Sequence, residues 1–271
     1  MEKEIILSAG IDIGTTTTQL VISRLTVSVS RGFGAPPQAE IAAKEIVYQS
    51  PVYFTPLLEN GDIDGAKVAQ IIQKEYAAAN DAVMSEVDPQ LVKKLGMFEI
   101  QTMCKDKFEM LTRPDLGRHF SPETKEYLKQ NSTAGADVQI YCGDGLSAPS
   151  VGANVPDILP MLTLALEDDS VTVGKPFFVR YCCVNTVREI GPLLGAKVVC
   201  ILIGERPGLL TDESMSAYIA YKPHPDMSES DYTVVSNISR FGMPPVEAGA
   251  YIAGIIKKML IQKAGGLSLK L

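Results

Sequence analysis

Residues 198–203, Val-Val-Cys-Ile-Leu-Ile, form an unbroken apolar run between Lys197 and Gly204-Glu205-Arg206-Pro207-Gly208. A run of this length with several β-branched members reads as a strand covered on both faces, the kind found inside parallel sheets. It therefore asks for a largely parallel sheet flanked by helices, an α/β fold. An acid and a base stand at the carboxyl end of that strand, where open α/β sheets bind their ligands. A charged turn that faces water is the bland alternative.

Two blocks differ in character. The first, residues 1–79, has strand-like Ile5 to Ile13, a Thr-rich turn from Gly14 to Thr18, and a second strand-like run from Gln19 to Val29. A loop, Arg31 to Gln38, contains Pro36-Pro37, and a third extended segment spans Ile41 to Tyr53. The block closes in a helix near Asp64 to Ala79 with Val68, Ile71, Ile72 and Tyr76 on one face. Ala77 to Ala82, polar and Ala-rich, is the expected joint.

Residues 80–271 alternate in the α/β manner. A helix over Pro89–Leu95 leads to a strand over Phe98–Met103, and Ser121 is placed to cap a helix that begins at Pro122. A strand over Val138–Cys142 ends at Gly143-Asp144-Gly145, and a long apolar helix follows over Ser147–Leu166. The strand Pro176–Val184, helix Asn185–Leu194 and strand Lys197–Ile203 make one strand–helix–strand unit. Ser216–Tyr221 reads as a further strand, the segment after it as a loop ending in Val234-Val235-Ser236-Asn237, and Pro244–Lys263 as the last helix.

Composition narrows the function classes. A net charge of −7 without a local Lys/Arg cluster points away from nucleic acid. Two acids ahead of a short apolar N-terminal run fit neither a secretory leader nor a membrane span, so a cytoplasmic protein is expected. The five cysteines show no CxxC spacing and read as reduced, mostly buried thiols. With only His119 and His224, far apart, neither a histidine metal site nor a Ser/His/Asp triad is expected.

The turns after the strands carry what chemistry there is. Gly143-Asp144-Gly145 and the Glu205 turn would open at the same edge of a parallel sheet. Neither supplies a nucleophile beside a base, a metal cluster or a close carboxylate pair, which favours a binding surface over a self-contained active site. A buried Glu205 carboxylate needs donors, and a ligand's amides or hydroxyls could provide them at about 1.5–3 kcal/mol per charge-assisted bond.

Eight ordered motifs carry a resemblance: LTRPDLGR (111–118), DGLS (144–147), FFVRY (177–181), GAKVV (195–199), GERPG (204–208), ESMSAY (213–218), SNI (236–238) and PPVEAG (244–249). Together they resemble the small (light) subunit of ethanolamine ammonia-lyase from about residue 81 to the C-terminus. The resemblance implies that family's cobalamin-binding fold, a large TIM-barrel subunit as partner, and adenosylcobalamin as cofactor. It also implies radical deamination of ethanolamine to acetaldehyde and ammonia, begun by cobalt–carbon homolysis, with the catalytic side chains on the large subunit and none here. The family's cobalamin contacts fall on Val184, Glu205 and Val234. Val184 would end its strand, Glu205 would accept from the cofactor's polar edge, and Val234 stands where the family has Cys. Cys182-Cys183 replaces a more usual Gly-Arg.

The first block carries a different resemblance. GIDIGTTTTQLVISRL, KEIVYQSPVYFTPL and the helix over Asp62–Tyr76 resemble the opening of the reactivating factor for ethanolamine ammonia-lyase, an actin-like ATPase that exchanges damaged cobalamin. Asp12, Gly14, Thr15 and Thr16 match the first phosphate loop of such ATPases. The second phosphate loop, the adenosine motif and the other half of the cleft are missing, so independent ATPase activity is not expected and an α+β fragment that serves only as a packed or loosely attached appendage is favoured. The alternative function is an ATP-dependent reactivating chaperone that acts through this loop. The family's setting adds the reactivating factor as a further partner and the bacterial microcompartment as a location.

Overall fold

The computed structural model describes residues 2–30, 38–167, 170–207 and 211–271. The expected loop around Pro36-Pro37 and Gly208, the last residue of the GERPG turn, lie outside the described residues. The N-terminal block is an antiparallel meander of β1 (Glu2–Ile13), β2 (Thr17–Ser30) and β3 (Gln38–Gln49), with β4 (Tyr53–Phe54) pairing the start of β2. Helix α1 (Gly65–Met84) follows, capped by the Asp64 carboxylate, which accepts from the Lys67 N–H at 3.1 Å. Its buried Glu75 receives the Tyr48 hydroxyl at 2.7 Å and the Tyr53 hydroxyl, which ties the sheet to the helix. Burial and the Glu75 hydrogen bond push the Tyr53 phenol up to about 12.

The expected joint at 77–82 is helical, because α1 runs through it to Met84. Alanine is the strongest helix former, and a single Asn-Asp pair among alanines does not stop propagation.

The second block continues with α2 (Pro89–Lys94), β5 (Phe98–Gln101), α3 (Lys107–Thr112) and α4 (Pro122–Asn131). Next come β6 (Val138–Gly143), α5 (Ala148–Glu167), β7 (Phe177–Arg180), α6 (Val187–Leu194) and β8 (Val198–Gly204). The described chain ends with β9 (Met215–Tyr221), β10 (Tyr232–Ile238) and α7 (Pro245–Gln262). Ser121 caps α4 as its sequence predicts, accepting from the Thr124 N–H at 3.1 Å.

The six strands lie in the order β10-β9-β8-β6-β7-β5. β5, β7, β6 and β8 are parallel to one another, while β9 and β10 run antiparallel, so the sheet is mixed. Every residue of β6 and β8 is buried, as the unbroken apolar run requires. The alternation of side chains divides them between two cores. Val138, Ile140, Val198, Cys200 and Leu202 face α5 and α7. Tyr141, Val199 and Ile201 face α4 and α6.

Two sequence expectations are corrected. β7 ends at Arg180 rather than running to Val184, which sits in a 3-10 turn, Val184–Thr186. The N–H groups of Tyr181 and Cys182 bond to the Asp144 carboxylate instead of a strand, and Tyr181 has φ +53°. Residues 232–238, expected as loop, form the edge strand β10. Only Tyr232, Val235 and Ile238 of it are buried, an irregular spacing that conceals its alternation.

At the amino edge, Asp137 accepts from Thr172 and from Lys197 at 2.6 Å, which lowers its carboxyl to about 2. A depressed folded-state pKa gives stability that is present above the unfolded value near 4 and lost as pH falls through the folded one. Asp137→Asn is therefore expected to remove about 1–2 kcal/mol at pH 6 and little at pH 2. Urea midpoints at the two pH values check this.

Candidate functional site

A cavity of about 900 Å³ opens at the carboxyl edge of β6, β7 and β8. Its floor is backbone packed on backbone. The Leu146 N–H donates to the Gly204 carbonyl at 3.0 Å. Side chains have no room here: a Cβ at Gly145 would overlap the Gly204 carbonyl, and one at Gly143 would meet Cys182 Cβ at 2.7 Å. Gly145 also has φ +53°, the left-handed region that glycine enters without cost. The turn after β6 and the turn after β8 thus approach closely, as expected for two parallel neighbours.

Glu205, the first residue after β8, is clasped by β9 and β10. Its carboxylate accepts from the Ser214 hydroxyl at 2.6 Å, the Ser216 hydroxyl and the Asn237 N–H at 2.9 Å. Its own N–H donates to the Ser214 carbonyl at 2.9 Å. Asn237 reaches it because a bulge falls between Val235 and Ile238 and Asn237 adopts φ +57°, a conformation asparagine tolerates. The donors sought for Glu205 thus come first from its own chain. A carboxylate has about four lone-pair sites, so one remains for a ligand. The Glu205–Arg206 pair is not a free surface turn: the Arg206 guanidinium donates to the Ile46 carbonyl of β3 at 3.1 Å.

The cavity brings together Val184, Glu205 and Val234, although they come from three separate segments. Val184 is half-buried in the 3-10 turn after β7, and Val234 on β10 is 45% exposed. Asp12, Gly14, Thr15 and Thr16 lie away from it, at the β1–β2 turn. There the Gly14 N–H donates to the Thr17 carbonyl at 2.8 Å, and the Thr55 hydroxyl donates to the Gly14 carbonyl at 2.6 Å. The Asp12, Thr15 and Thr16 side chains are exposed.

Sequence reasoning missed several groups. Lys107, the first residue of α3, is buried and bonds to Asp144 Oδ2 at 3.0 Å and to the Gly145 carbonyl at 2.6 Å. A lysine at a helix N-terminus opposes the macrodipole, and that mismatch was the available sign of a tertiary partner. Tyr218 lines the cavity, and its phenol is raised by burial first and then by the Glu205 and Glu229 charges, so it stays a neutral donor. Cys183 also lines the cavity, its thiol pushed up by burial. Arg24, Glu45 and Ile46 of the N-terminal sheet line it as well, and nothing in their local pattern pointed there. Among the described residues no group of three or more His, Cys, Asp or Glu could hold a metal ion.

The described residues form a mixed α/β sheet with a half-open cavity at its carboxyl edge, lined by both polar and apolar groups. Residues 61–270 match the family model of the ethanolamine ammonia-lyase light chain, and the chain belongs to that family. It is 51% identical over 199 residues to the ethanolamine ammonia-lyase small subunit of Clostridium perfringens, covering 73% of this chain and 68% of that one. The small subunit of Clostridium tetani is 54% identical over 197 residues, covering 73% and 67% of the two chains. That of Listeria monocytogenes is 50% identical over 196 residues, covering 72% and 67%. Residues 3–89 match the ethanolamine utilisation protein EutA, so both resemblances read from the sequence are borne out. The two matches overlap along α1, the helix shared by the blocks.

Proposed function

We propose that residues 80–271 are the cobalamin-binding light-chain domain of an adenosylcobalamin-dependent ethanolamine ammonia-lyase, and that residues 1–79 are a truncated actin-like ATPase segment in front of it. The convergence of Val184, Glu205 and Val234 on one cavity carries this reading. The lining suits one amide-fringed face of a corrin. It mixes apolar Leu146, Ile203 and Val234 with the Glu205 acceptor and the neutral Tyr218 donor. The half-open cavity leaves the opposite face of so large a ligand to the large subunit.

When bound, adenosylcobalamin supplies the radical chemistry that deaminates ethanolamine to acetaldehyde and ammonia. This chain's part is to bind and orient. Glu205, fixed by its three internal donors, offers its remaining lone pair to a peripheral amide without reorganising. Val184 and Val234 give apolar and main-chain contact, and no catalytic side chain is assigned here. The large subunit is the obligate partner and the reactivating factor a transient one. The place of action is the cytoplasm, inside a protein-shelled microcompartment. No helix among the described residues is long and apolar enough to cross a membrane.

Co-expression with the large subunit of a clostridial relative tests the reading. The two chains should co-purify, retain adenosylcobalamin through gel filtration and form acetaldehyde from ethanolamine. A stable complex that neither holds the cofactor nor turns over would overturn it.

A further inference from the structure

The N-terminal segment is not a distant passenger. Arg24 on β2 and Glu45 and Ile46 on β3 stand in the wall of the cavity. Behind them Leu20, Val47 and Tyr48 share a core with Met110, Leu111 and Tyr181 of the second block. Arg24 is paired with Glu45 and donates to the Leu111 carbonyl at 3.1 Å. β3 carries a bulge here: Ile22 faces Tyr48 and Ser23 faces Ile46, which leaves Val47 as the extra, buried residue. Bulges re-aim the backbone beside them, and this one adjoins the Ile46 carbonyl that accepts from Arg206.

We propose that the β2–β3 hairpin is a built-in wall of the cavity, fastened by Arg206 to the Ile46 carbonyl, and that this fastener sets how fast the cavity's occupant enters and leaves. The two sides of the fastener are held by different contacts. Arg206 hangs from the β8 turn, whose Glu205 is held by β9 and β10. β3 pairs only with β2 among the described strands, and its Glu45 and Ile46 line the cavity. A single charged-to-neutral hydrogen bond from an exposed arginine is strong enough to bias closure and weak enough to open. Opening it frees a carbonyl acceptor and a guanidinium donor, the complementary pair for a primary amide. That the occupant is a corrinoid rests on the function proposed above.

The test is amide hydrogen exchange on the full chain, joined to cyanocobalamin release from its complex with the large subunit. Arg206→Ala should speed exchange in residues 40–49 at least fivefold and leave residues 138–143 and 198–204 unchanged. The same variant should release cyanocobalamin about five- to tenfold faster, with Arg206→Lys in between. Unchanged exchange in residues 40–49, or unchanged release from a complex that binds the corrinoid, overturns the proposal. Faster exchange in a complex that binds no corrinoid at all upholds the fastener and overturns the cofactor reading instead.

Discussion

Glu205→Ala is expected to weaken retention of adenosylcobalamin in the complex by more than tenfold, a loss of about 1.4 kcal/mol or more. The clasp around this carboxylate adds a second effect. Its removal strands the Ser214 and Ser216 hydroxyls and the Asn237 N–H at the seam of β8, β9 and β10. The isolated chain should lose about 2–4 kcal/mol of unfolding free energy, read from the urea midpoint. Contact and scaffolding separate in a second variant. Ser214→Ala with Ser216→Ala removes two of the clasping donors and keeps the carboxylate. If Glu205 works by touching the cofactor, equilibrium dialysis should find the double variant within roughly threefold of the parent. A loss as large as that of Glu205→Ala would reduce Glu205 to a strand fastener.

The sequence made the central strand legible because burial on both faces leaves no polar residue to break the run at Val198–Ile203. The Ser121 cap and the final helix were legible for a similarly local reason: capping and proline chemistry act within one turn of the residues that show them. Convergence of Val184, Glu205 and Val234 could be expected from the resemblance alone, since no periodicity joins residues on three segments. What stayed hidden depends on contacts remote in the chain. β10 is an edge strand whose bulge breaks its alternation, so its pattern resembles a loop. β7 stops early because Asp144, thirty-seven residues before Tyr181, captures the N–H groups that would extend it. The wall built from Arg24, Glu45 and Ile46 follows from the docking of one block on the other, and Ile46 takes part through a main-chain carbonyl that any residue would present.

That capture by Asp144 is also where the second large effect is expected. Lys107 and Asp144 are each 3% exposed, so the pair exists only because both charges are satisfied. Asp144 answers the Lys107 ammonium and the N–H groups of Tyr181 and Cys182, and Lys107 also holds the Gly145 carbonyl. Breaking a buried pair from one side leaves the other charge without compensation, at a cost of about 3–5 kcal/mol. Asp144→Ala should lie at the upper end of that range, because it abandons a buried ammonium and two N–H groups together. Lys107→Met should cost less, since two backbone donors still serve the carboxylate and methionine fills the volume of the lysine stem. Combined, Lys107→Met and Asp144→Ala should destabilise by less than the sum of the single changes, with a coupling of about 1–3 kcal/mol. The turn carrying Cys182, Cys183 and Val184 hangs from this pair, so Asp144→Ala should also weaken cobalamin retention although Asp144 lies behind the cavity wall. Urea midpoints for the four proteins of the cycle give the coupling, and strict additivity would mean that the two residues stabilise the turn independently.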